Sequence, residues 1–169
     1  MNVNLVITFM GKDQPGLVES IAAVIAEEGG SWLESRMCHL SPQFAGVLRV
    51  LIKSENEAGL TERLLKLKDS GLSITIESAP HDDSAQERST ASIQVVGNDR
   101  VGIVSEIAQA LASQKVNIED LHTELTTAPM SGDPIFTLNG QVSLPEGLST
   151  EDVRRKVEAV ADDLNTEVE

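Results

Sequence analysis

Apolar positions along the chain switch between two periods, and the switches mark the elements. Val3–Phe9 is a short β-branched run that stops at Gly11, which predicts a strand. Gly16–Glu28 carries Leu17, Val18, Ile21, Val24 and Ile25 at helical spacing and is halted by Gly29-Gly30. Ser31–Leu40 and Phe44–Lys53 flank Ser41-Pro42-Gln43, the pattern of a tight hairpin. Glu57–Ser70 places Leu60, Leu64 and Leu67 on one face ahead of Gly71. Leu72–Ser78 alternates Leu72, Ile74 and Ile76 with polar residues, as a half-buried strand does. The order is βαββαβ.

The same order then recurs. The spacing predicts strand Ala91–Val96, helix Gly102–Gln114, strands Asn117–Thr127 and Pro134–Ser143, helix Thr150–Leu164 and a short strand near Thr166–Glu169. Ile118 and Leu121 stand three apart in one strand, which predicts a bulge at its start. The second hairpin loop, Ala128–Pro134, is longer than its counterpart and reads as a variable surface connection. His81–Thr90 is polar and lacks apolar periodicity, so the division is residues 1–80, a linker at 81–90, and residues 91–169. An antiparallel sheet with its helices on one face makes each unit an α+β, ferredoxin-like split βαβ arrangement. Units of this size bury modest cores, which makes pairing of two units, or of two chains in a homodimer, physically reasonable.

The repeat is sharpest where each first strand meets its helix. Phe9–Val18 reads FMGKDQPGLV and Val96–Val104 reads VGNDRVGIV, so Gly11, Asp13 and Gly16 match Gly97, Asp99 and Gly102 at an offset of 97 − 11 = 86 residues. A loop opening onto a helix presents unpaired N–H groups and the positive end of the dipole, which accept a carboxylate. Glycines let the backbone turn and approach a ligand closely. Asp13 suits an ammonium group; equally, it suits a helix cap, and a tight turn capped by an Asp accounts for the spacing without a ligand. Amides for a carboxylate beside an Asp for an amine would recognise a free amino acid.

Composition narrows the partners. Lys and Arg number 13 against 27 Asp and Glu, a net charge of −14, and no basic run or basic amphipathic helix occurs. Phosphates would repel such a chain, so direct nucleic-acid binding is not expected. A basic protein would be attracted. No apolar run approaches the ~20 residues of a membrane span. The start MNVNLVITF reads as a strand rather than a signal peptide. One cysteine, Cys38, allows no internal disulfide and suits the cytoplasm.

Two βαββαβ units, each with G-x-D-x-x-G-[LI]-V-x-x-I-A after its first strand, resemble tandem ACT domains over nearly the whole chain. Among tandem-ACT chains with no enzyme attached, DQPGLVESIAAVIAEEGGSWLESRM and NDRVGIVSEIAQALA are most similar to the glycine cleavage system transcriptional repressor family. The resemblance implies a sensor of a small amino acid, glycine or serine, that regulates transcription by binding a basic activator protein rather than DNA. It implies ligand residues at Gly11, Asp13, Gly16, Gly97, Asp99 and Gly102, together with the starts of the second strands, Ser31 and Asn117. Asn117 offers a donor and an acceptor and Ser31 less, which ranks the second site above the first. Trp32, beside Ser31, reads as a core anchor. The alternative is a regulatory or interaction module for a metabolic enzyme, and two units filling 169 residues leave no room for a catalytic domain within this sequence.

No catalytic set is evident. Met37-Cys38-His39 has no second cysteine, and His81 and His122 lie on other elements, so metal-ligand spacing is absent. Cys38 on a strand reads as a small buried apolar residue. GxSxG, Walker and HExxH patterns are missing, and no cofactor motif occurs: G-x-D-x-x-G is not the dinucleotide G-x-G-x-x-G. Asp82-Asp83 and Asp162-Asp163 read as solvated acids.

Overall fold

The computed structural model describes residues 1–79, 89–129, 131–160 and 164–169. Contacts divide the chain into two units, Met1–Ala85 and Gln86–Glu169. In the first, β1 (Asn2–Lys12) leads to α1 (Leu17–Glu27), then β2 (Ser31–Leu40), β3 (Gln43–Lys53), α2 (Glu57–Lys66) and β4 (Leu72–Ala79). In the second, β5 (Ser89–Asn98), α3 (Ile103–Ser113), β6 (Asn117–Thr127), β7 (Pro134–Leu144), α4 (Thr150–Glu158) and β8 (Asn165–Val168) follow the same order. Each unit holds one four-stranded antiparallel sheet, ordered β2-β3-β1-β4 in the first and β6-β7-β5-β8 in the second.

Strand alternation decides which face is covered. Leu5, Ile7 and Phe9 of β1 turn to one side, where they meet Ile21 and Ile25 of α1, Leu60 and Leu64 of α2, and Leu48, Val50 and Ile52 of β3. In the second unit Ile93 and Val95 meet Ile107 and Leu111 of α3, Val153 and Val157 of α4, and Leu138 and Val142 of β7. Trp32, Val24 and Met37 pack partly buried against the first core, the anchoring place expected for Trp32. The helices therefore lie on one face of each sheet, the α+β arrangement the pattern predicts.

Several boundaries differ from the sequence reading, each for a local reason. Ser89 and Thr90, expected in the linker, pair with Leu144 and Ser143 and open β5. Residues 81–88, with His81 and Asp82-Asp83, lie outside the described residues, as do Met130 and Asp162-Asp163. The helix expected over 57–70 ends at Lys66 and tightens into a 3-10 turn over Leu67–Ser70, before Gly71 takes a left-handed φ of 87°. The helix expected to reach Leu164 is described as helical only to Glu158; it starts from a capping box in which the Ser149 hydroxyl accepts from the Asp152 N–H. The expected bulge falls between Ile118 and Asp120, and a twin falls between Trp32 and Glu34.

Cys38 is the clear correction. It is exposed, not buried. After the bulge, Glu34, Arg36 and Cys38 pair with Arg49, Val47 and Ala45 on the face turned away from the helices, while Met37 takes the core side. The bulge sets that parity, since one extra residue moves every following side chain to the other face.

Candidate functional site

Both glycine-aspartate loops are built alike. Gly11 and Gly97 are still within β1 and β5, opposite Phe44 and Phe136. A Cβ on Gly11 would stand 3.0 Å from the Gly71 carbonyl oxygen and 3.0 Å from Leu72 Cδ2, so close packing against the start of β4 is sufficient reason for glycine there. Gly16 and Gly102 are the N-cap residues of α1 and α3, at φ 95°, ψ −3° and φ 91°, ψ −4°. Only glycine adopts that left-handed conformation without strain. It turns the chain from strand to helix without a side-chain cap at either end.

The aspartates are held by the backbone. Asp13 N–H donates to the Pro42 carbonyl at 3.0 Å, and Asp99 N–H donates to the Pro134 carbonyl at 3.0 Å. Each loop is thus tied to the hairpin beside it, with the carboxylate free of the helix end. The capping role considered for Asp13 is not the one it takes: the cap position belongs to Gly16, and the Asp13 carboxylate lies 3.5 Å from His39 Nε2. Both side chains are largely exposed.

The two loops differ in their charged neighbours. At the offset of 86, Leu125 replaces His39, whereas the second loop carries Arg100, which donates to the Glu106 carboxylate in the first turn of α3. That hydrogen bond holds the Glu106 carboxyl below the usual carboxylate range. Ser20 occupies the matching place in α1 and donates its hydroxyl to the Gly16 carbonyl at 2.8 Å. The sequence reading weighs His39 only as a metal ligand and does not reach the Arg100–Glu106 pair. His39 reaches the loop only because the hairpin register folds it there.

The strand starts stand elsewhere. Gly11 is opposite Phe44 and Ser31 is opposite Leu51, a separation of 51 − 44 = 7 residues along β3. Gly97 is opposite Phe136 and Asn117 opposite Ser143, again 143 − 136 = 7 residues. At about 3.4 Å per residue the loop and the strand start of one unit are roughly 24 Å apart, at opposite ends of the sheet. One unit therefore brings Gly11, Asp13 and Gly16 together, or Gly97, Asp99 and Gly102, but brings neither set to its own Ser31 or Asn117. Asn117 Nδ2 also donates to Glu119 Oε1 at 2.8 Å, an oxygen that accepts from the Ser143 hydroxyl at 2.7 Å, so its donor is engaged within its own sheet.

Among the described residues, no group of three or more His, Cys, Asp or Glu side chains is placed to hold a metal ion. No helix among them is long and apolar enough to cross a membrane.

This fold, with its doubled loop, defines a class. ACT domain models match residues 4–77 and 85–162, and the chain belongs to the ACT domain family. A crystal structure of an unknown protein from Galdieria sulphuraria is similar over 100% of this chain and 98% of its own, with a TM-score of 0.83 and 24% identity. A second, named as a "putative glycine cleavage system transcriptional repressor", is similar over 100% of this chain and 97% of its own, with a TM-score of 0.72 and 17% identity. At these identities the likeness is one of fold. No curated protein sequence matches the chain. The protein is a pair of regulatory ACT domains.

Proposed function

We propose that this protein is an amino-acid-responsive regulator of transcription that works through a basic activator protein and not by gripping DNA. The observation that carries the reading is the doubled loop. Two sites 86 residues apart, with N-cap dihedral angles agreeing within 4°, present a helix N-terminus beside an exposed carboxylate. That pairing suits the two charges of a zwitterion: N–H groups for its carboxylate, Asp13 or Asp99 for its ammonium. Glycine and serine are the first ligands to test. The control of glycine cleavage is favoured by the resemblance of the loop segments and by the name of one structural neighbour. The net charge of −14 supports a protein partner over nucleic acid, and a cytoplasmic setting fits all of this.

Because one unit separates its loop from its own strand start, a strand start that completes the site comes from a different ACT unit. Isothermal titration of the protein with glycine and with serine tests the reading. Binding should be present in the millimolar range or tighter, and Asp13→Ala and Asp99→Ala should each weaken their own site by tenfold or more, as loss of a charged hydrogen-bond partner does. Absence of any binding at millimolar ligand refutes the sensor. Retention of DNA by this chain alone at physiological salt refutes the protein-partner half.

A further inference from the structure

Each sheet turns one face to its helices and leaves the other open, and both open faces are hollowed in the same place. In the first unit Val6, Arg49 and Glu34 lie side by side across β1, β3 and β2, with Val47 and Arg36 the next outward-facing pair. They line a hollow of about 370 Å³. In the second unit Ser92, Gln141 and Asp120 take the first three places, Asn139 and His122 take those of the pair, and the hollow measures about 410 Å³. Both lie beside the bulge of their own unit, at Trp32/Glu34 and at Ile118/Asp120. A bulge bends its strand and raises the local twist, so the shape belongs to the duplicated fold, whereas the lining belongs to each unit's sequence.

The first lining suits an anion with an apolar body. Val6 is half-buried and Val47 is 40% exposed, which gives the hollow an apolar floor. Arg63, Arg100, Arg154 and Arg155 each meet a carboxylate, but the exposed Arg36 has no ion pair among the described residues. Arg49 approaches Glu34 Oε1 through Nε at 3.0 Å, which leaves both of its Nη groups without a partner among the described residues. In a chain of net charge −14 carboxylates are plentiful, yet none of those described closes over Arg36. Arg36 and Arg49 are diagonal neighbours on the ladder, roughly 7–8 Å apart, and a carboxylate between them can accept from both guanidinium groups.

We infer that this hollow binds a small organic monocarboxylate with an aliphatic or aromatic body. Arg36 and the Nη groups of Arg49 hold the carboxylate, and Val6 and Val47 take the body. A volume of this size is that of a small-molecule pocket. Glu34 on the rim disfavours a ligand with a second negative charge. The second hollow carries Asp120, Glu167 and Glu169 without Lys or Arg, and repels the same ligand. Val6 and Gly11 are 11 − 6 = 5 residues apart on β1, about 17 Å, so the hollow stands apart from the glycine-aspartate loop and either site can exist without the other.

Phenylacetate and isovalerate are the probes, with acetate, succinate and phenylacetamide as comparisons, titrated into the whole chain and followed by calorimetry and amide NMR. Both probes should bind saturably at millimolar concentration or tighter, with shifts centred on Val6, Arg36, Val47 and Arg49. Acetate lacks the body, succinate adds a charge and phenylacetamide lacks one, so each should bind at least tenfold more weakly. Arg36→Gln should weaken phenylacetate tenfold or more, and Arg36→Lys should recover only part of the loss, because an ammonium is a point charge. Val47→Asn, which copies the second unit's lining, should also weaken it, while Asp13→Ala should leave it unchanged. Absence of binding at millimolar phenylacetate overturns the site, as does equal binding of any comparison compound or a set of shifts centred on Ser92 and Gln141. So does unchanged affinity in an Arg36→Gln or Val47→Asn protein that is folded by circular dichroism. A loss of phenylacetate binding in Asp13→Ala assigns the ligand to the loop and overturns the site as well.

Discussion

Gly16→Ala isolates the conformational demand at the opening of α1. At φ 95° an alanine is forced into the left-handed region, which costs about 1–2 kcal/mol. Nothing lies within 4 Å of the Cβ it would add, so no packing clash contributes. The substitution also stiffens the unfolded chain, which returns about 0.4–1 kcal/mol. The net expectation is a loss of about 1 kcal/mol from the first unit. Trp32 is the one tryptophan of the sequence and packs on that unit's core, so its fluorescence during urea unfolding reports this unit. With a denaturant slope near 1 kcal/mol per molar, the midpoint should fall by about 1 M. Gly16→Asn should fall less, because asparagine tolerates the left-handed region. An unchanged midpoint for Gly16→Ala, or a larger loss for asparagine than for alanine, would refute the claim that φ alone demands glycine here.

Other consequences are as direct. Ile21 has no exposed surface, and Ile21→Ala should cost about 2–5 kcal/mol of the first unit's stability, read by the same fluorescence. Glu106 has a folded pKa depressed by the hydrogen bond from Arg100, so its contribution is present above the ordinary glutamate range and lost as pH falls through the depressed value. The difference in urea midpoint between parent and Glu106→Gln should therefore be larger at neutral pH than in acid; a difference that grows on acidification contradicts the pairing. Cys38 should react stoichiometrically with a thiol reagent in the native protein, and protection until unfolding would contradict its placement on the open face.

Much of the architecture was legible because it rests on short-range periodicity. Leu5, Ile7 and Phe9 at period two, and Leu17, Ile21 and Ile25 at helical spacing, can bury only one face each, and that face defines the core. Element ends were less legible. The residues after Lys66 retain apolar spacing, while the tightened turn into Gly71 depends on how β4 must be reached. Cys38 was misplaced because the parity of β2 follows from a bulge at Trp32 and Glu34, and a bulge answers to the partner strand.

By itself the sequence determined the two-unit plan, the alternation of elements and the paired glycine-aspartate loops, since all of these depend on residues near one another in the chain. Tertiary structure decided what those loops face. Strand register put His39 against Asp13, while Ser31 and Asn117 stand at the far end of each sheet because the first helix of each unit carries the chain back before the second strand runs, in the direction of the first, toward the loop. Neighbours of that kind, contributed from across a sheet, follow from where hydrogen-bonded ladders start and stop, which no local pattern records.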